Sequence, residues 1–95
     1  MCHAISDQED RISVWLIGSI GVKEATSIRQ ELFPRIQAGF THITFHLGEV
    51  TDMDSSGLGL LLAAKKIASD INASVTFLEV PTPLRERLIL TGIII

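Results

Sequence analysis

A mixed α/β domain, with a mostly parallel β-sheet packed against α-helices, is what this 95-residue sequence predicts, and three observations predict it. Short segments rich in β-branched and aromatic residues recur along the chain, as half-buried strands require. Between them lie stretches whose apolar residues fall at three- and four-residue spacing, the mark of one helix face. Strands alternating with helices imply parallel pairing through helical crossovers. Hydrophobic residues make up 46% of the chain, enough for a packed core and too many for a disordered segment. The length allows one domain, residues 1–95.

The segment Arg11 to Ile17 (RISVWLI) reads as a strand that stops at Gly18. A weaker strand precedes it over Cys2 to Ser6, with Asp7 to Asp10 as the hairpin turn, so this pair forms an antiparallel edge. From Val22 the period changes: Ala25, Ile28, Leu32 and Ile36 mark a helix face. Pro34 lies inside that pattern and is expected to kink or end the helix, because it has no N–H for the carbonyl of Gln30; Gly39 is a natural stop. His42 to Leu47 alternates as a strand, and Gly48 to Asp54 reads as a turn. The run from Leu58 to Ala68 is the strongest helix, by its length and its Leu/Ala content. Asp70 to Ser74 is a loop and Val75 to Val80 a strand. Pro81 and Pro83 open a short helix, Leu84 to Leu90, which Thr91-Gly92 ends. Ile93-Ile94-Ile95 reads as a last strand, so the expected order is β-β-α-β-α-β-α-β.

Composition narrows the function. Eight Lys+Arg against eleven Asp+Glu leave a formal charge of -3, without the basic cluster that phosphate neutralisation demands of a nucleic-acid binder. No run approaches the roughly 18–20 apolar residues of a membrane span. The first ten residues, MCHAISDQED, have neither the basic start nor the apolar stretch of a secretory signal. Cys2 is the one cysteine, with no second thiol for a disulfide or a zinc site, and reads as a free thiol in a reducing, cytoplasmic setting.

One segment carries chemical content: Asp52-Met53-Asp54-Ser55-Ser56-Gly57-Leu58-Gly59, where a turn meets the Leu-rich helix. In its plainest role Asp54 or Ser55 caps the helix and the glycines permit close packing. A helix N-terminus also carries partial positive charge and unpaired donors, so an added phosphate is tolerated there. Catalytic readings lack parts. A nucleophile elbow needs Gly two residues before its Ser, and Met53 and Asp54 stand there. No phosphate-cradling P-loop exists. Asp52 and Asp54 have no further carboxylates to complete a metal or phospho-acceptor site, His42 and His46 fall on a strand, and Lys65-Lys66 lies on a polar helix side. The expectation is a non-enzyme with no catalytic residue, no metal and no cofactor.

The string Asp54-Ser55-Ser56-Gly57-Leu58-Gly59, with Val50 and Met53 before it and Leu60-Leu61-Leu62 after it, resembles the signature of the STAS family, the sulphate-transporter and anti-sigma-factor-antagonist domains. The resemblance covers nearly the whole chain and implies a STAS-like single domain of the stand-alone anti-sigma factor antagonist type. In such members the Ser after that Asp is phosphorylated by a serine kinase that is itself the anti-sigma factor, and a PP2C-type phosphatase removes the mark. Carried over, this makes Ser55 the phospho-acceptor, with Ser56 the alternative. Asp54, Ser55, Ser56, Gly57 and Leu58 become the partner-binding surface, joined by Ser19 and Gly21 from the loop after the second strand. That loop is Gly18-Ser19-Ile20-Gly21, where the family often has Gly-Glu-Leu-Asp. The family's usual further C-terminal helix is missing, so the Ile-rich end is expected to meet a partner, including a homodimer mate. The alternative implied by the same family is a small STAS subunit of a membrane transport complex of the lipid-transport ATPase type. Members of that type tend to carry Thr at the position of Ser55.

Overall fold

The computed structural model describes residues 2–93. Seven elements follow in order: β1 (His3–Gln8), β2 (Arg11–Ile20), α1 (Val22–Gln37), β3 (His42–Met53), α2 (Ser55–Asp70), β4 (Ser74–Leu78) and α3 (Thr82–Leu90). The sheet order is β1-β2-β3-β4; β1 pairs antiparallel with β2, and the other two pairs are parallel. Both crossovers, through α1 and through α2, step in the same direction across the sheet. Right-handed connections therefore put both helices on one face. Burial agrees: Ile12, Val14, Leu16, Ile43, Phe45 and Leu47 are sealed against Ile28, Leu32, Ile36, Leu60, Leu61 and Ala64. The opposite face carries Ser13, Trp15, Thr44 and His46, with Trp15 stacked on His46 at 4.5 Å between ring centroids. One layer of helix on one layer of sheet thus encloses a single core.

Several boundaries differ from the sequence reading, each for a physical reason. The stretch Gly48 to Asp54, expected as a turn, is strand as far as Met53. Two register shifts, between Trp15 and Ile17 and between Gly18 and Ser19, break the two-residue alternation, so Leu47, Val50 and Met53 face the core at three-residue intervals. Gly18, expected as the end of β2, sits within that bulged region at φ +79°, and β2 runs on to Ile20. Pro34 neither ends α1 nor stops its last turn, which continues to Gln37. The hairpin turn shrinks to Glu9-Asp10, with Glu9 at φ +57°. β4 stops at Leu78, one residue before Glu79 turns left-handed at φ +56°. Of the expected last strand, Ile93 is a buried bend residue outside any strand, and Ile94 and Ile95 lie outside the described residues.

Candidate functional site

β2 and β3 run parallel, so their carboxyl ends meet at one end of the sheet, where functional residues of α/β folds commonly gather. Ser19 pairs with Asp52 and Ile20 with Met53 in the ladder, and α1 and α2 begin just beyond. The Asp54 N–H donates to the Ile20 carbonyl at 3.1 Å, tying the start of α2 to the end of β2. Asp54 is the N-cap: its Oδ1 accepts from Ser56 N at 2.8 Å and from Gly57 N at 3.2 Å. Of the two capping candidates the structure therefore selects Asp54, and Ser55, the first helical residue, is exposed with its hydroxyl not required for the cap.

Gly57 is there because nothing larger fits. A Cβ at that position would stand 2.4 Å from Met53 Cγ and 3.1 Å from the Ile20 carbonyl. This tight crossing lets α2 start directly over the end of the sheet. Gly21 caps α1 from the other side of the site. It has no side chain to offer, and Glu24 supplies the hydrogen bond, accepting from Gly21 N at 2.9 Å. A Cβ on Gly21 would lie 3.2 Å from Glu24 Oε1 and 3.3 Å from Asp54 Oδ2, so two carboxylates flank this backbone. The acid that the Gly18–Gly21 loop lacks is thus partly supplied by Glu24 from within α1.

The structure brings all seven sequence-predicted residues to one end of the fold: Ser19 and Gly21 from the first crossover, Asp54 to Leu58 from the second. Ser55, Asp54 and Ser19 are exposed, Ser56, Leu58 and Gly21 are partly so, and Gly57 is buried. Three further residues belong to the setting. Val22 opens α1 at 65% exposure, and Leu62 lies on the solvent side of α2 at 50%, one turn past Leu58. Leu62 was detectable as a leucine off the buried stripe of Gly57, Leu60, Leu61, Ala64 and Ala68. Arg87 of α3 donates to the Met53 carbonyl beside the cap, a contact 34 residues apart in the chain with no local sequence signal. Among the described residues no group of three or more His, Cys, Asp or Glu side chains gathers to hold a metal ion. The arrangement is a hydroxyl on an exposed shoulder, bordered by apolar side chains and two carboxylates. Such a surface suits contact with another protein.

Residues 3–94 match the family described as "Mlab, STAS domain". Comparison with curated proteins gives no match. Among solved structures, the anti-sigma factor antagonist SpoIIAA in its unphosphorylated form is similar at a TM-score of 0.84 and 20% identity, covering 93% of this chain and 82% of that one. SpoIIAA as the Bacillus cell fate determinant in the phosphorylated form gives 0.85 and 21%, covering 95% and 83%. An anti-sigma factor antagonist from Mycobacterium paratuberculosis gives 0.77 and 20%, covering 96% and 77%. At these identities the likeness is one of fold.

Proposed function

The chain belongs to the STAS domain family, and from that membership and the geometry around Ser55 we propose a phosphorylation-controlled, partner-switching binding module of the anti-sigma factor antagonist kind. Residues 1–95 act as one domain in the cytoplasm, as a regulator and not as an enzyme. Unmodified, the surface of Ser19, Gly21, Asp54, Ser55, Ser56, Gly57 and Leu58 binds a serine kinase that is itself an anti-sigma factor, freeing that regulator's other client. Phosphate on Ser55 breaks the contact, and a PP2C-type phosphatase restores it. The observation that carries this reading is the division of labour at the helix start: Asp54 caps, leaving Ser55 exposed and free to be modified without unwinding α2. Ser56 is partly buried, which favours Ser55 over it. The fold's likeness to SpoIIAA in both unphosphorylated and phosphorylated forms supports the same choice.

A phosphate adds about -1.5 to -2 charges at the centre of the surface. Desolvating that charge beside Asp54, without a cationic partner, costs several kcal/mol, enough to reverse binding. The test is affinity purification of wild type, Ser55→Ala and Ser55→Asp from the native cell. The expected result is a kinase retained by wild type and Ser55→Ala and lost by Ser55→Asp; retention by Ser55→Asp at wild-type level would end the switch model.

A second reading, a structural STAS subunit of a membrane transport complex of the lipid-transport ATPase type, is supported by different observations. The matched family is described by Mlab and not by an antagonist, and α3 exposes Ile89 and Leu90, the latter at 86%. Among the described residues no helix is long and apolar enough to cross a membrane, so membrane association would come through a partner. Co-purification of an ATPase, indifferent to Ser55→Asp, decides for this reading.

A further inference from the structure

The two edges of the sheet are built differently. The β1 edge is guarded: Asp7 and Gln8 lie in the strand, Arg35 of α1 reaches Asp7 at 2.7 Å, and Glu31 reaches His3 at 3.1 Å. Charged side chains of this kind discourage a further strand from adding. β4 has none of these protections. Its five residues, Ser74-Val75-Thr76-Phe77-Leu78, include no charge, no proline and no bulge, and Val, Thr and Phe favour extended structure. Among the described residues it pairs only with β3. Val75 and Phe77 face the core yet stay partly exposed, and Leu78 on the other face is 40% exposed.

The hydrogen-bond phase of β4 says what fits there. Ser74 N donates inward to the Thr41 carbonyl at 2.9 Å. In a parallel ladder the inward and outward residues alternate, so Val75 and Phe77 turn their N–H and C=O groups to the open edge. We infer that β4 is a homodimerisation edge, where a second copy pairs antiparallel about a two-fold axis through Thr76. In that register Val75 lies opposite the partner's Phe77 and exchanges both backbone hydrogen bonds with it, and the reverse pair does the same. All four apolar side chains then fall on the core face, and Thr76 meets the partner's Thr76 on the open face. A two-fold axis is the commonest symmetry of soluble oligomers. The uncharged strand presents no like charge to its own copy, which is why a second copy is favoured over a charged partner. Five paired residues bury well under the ~800 Å² per partner of a standard interface, so the dimer is weak and concentration-dependent.

Sedimentation equilibrium of the full chain tests this. Wild type is expected to pass from monomer to dimer with rising concentration. Thr76→Lys, which sets two ammonium groups opposite each other at an exposed position, should weaken the dimer about fivefold. Mixing Thr76→Lys with Thr76→Glu chains should restore association. A wild type that stays monomeric to ~1 mM overturns the proposal, as does a dimer indifferent to Thr76→Lys. Dimerisation that appears only when Ile94 and Ile95 are deleted overturns it too, because the chain's own end would then be the occupant. Amide exchange on wild type gives a reading independent of the variants' folding: Val75 and Phe77 should slow as concentration rises, and equal rates at all concentrations contradict the dimer.

Discussion

Asp54 and Ser55 are neighbours with separable tasks, and their variants should separate as well. Asp54→Ala removes the acceptor for two N–H groups and should cost about 1 kcal/mol of stability, read from chemical denaturation. Ser55→Ala touches no cap and should leave stability within about 0.5 kcal/mol of wild type. Gly57→Ala would ordinarily help a helix by about 1 kcal/mol. Here its Cβ collides with Met53, which is itself pinned in the core, so a net loss of about 1–3 kcal/mol is expected in the same measurement. Asp10 offers a test by titration. The Thr41 hydroxyl donates to its carboxylate at 2.8 Å and, foremost among the causes, holds that carboxyl below its ordinary range. A lowered folded-state value means that this contact stabilises above the unfolded carboxylate's titration and is lost as pH falls through the folded one. Thr41→Val should raise the Asp10 titration midpoint towards the ordinary value, as followed by NMR, and narrow that acid-side window.

At the scale of elements, helices were readable because their apolar spacing survives packing: Ala25, Ile28, Leu32 and Ile36 are all buried as the three-four pattern requires. The end of β3 was not readable. Its pairing with a bulged β2 shifts the inward residues from every second to every third position, and Gly48, Asp52 and Asp54 look like turn residues until the ladder is seen. Pro34 misleads for another reason. It lies in the last turn of α1 on an exposed position, where the packing of Leu32 and Ile36 holds the helix in spite of the missing N–H. Pro34→Ala should therefore stabilise the domain, by no more than the ~3 kcal/mol that a proline costs a helix interior, as a rise in thermal midpoint.

At the scale of the molecule, the open sheet face, the bare β4 edge and the shoulder around Ser55 are three distinct surfaces of one two-layer fold. The shoulder exists because two parallel strands end together and each hands over to a helix, which places Ser19 and Gly21 beside Asp54. The local string Asp54 to Gly59 pointed to this place, since capping chemistry and a glycine at a close crossing leave local traces. The contributions of Glu24 and Arg87 left none, because they arise only when α1 and α3 dock on the strand ends. The central claim, that the Ser55 hydroxyl is the control point, is met most directly by phosphopeptide mass spectrometry of the protein taken from its own cells. The account predicts phosphate on Ser55 that PP2C-type phosphatase treatment removes; phosphate confined to another residue, or none under any growth condition, would contradict it.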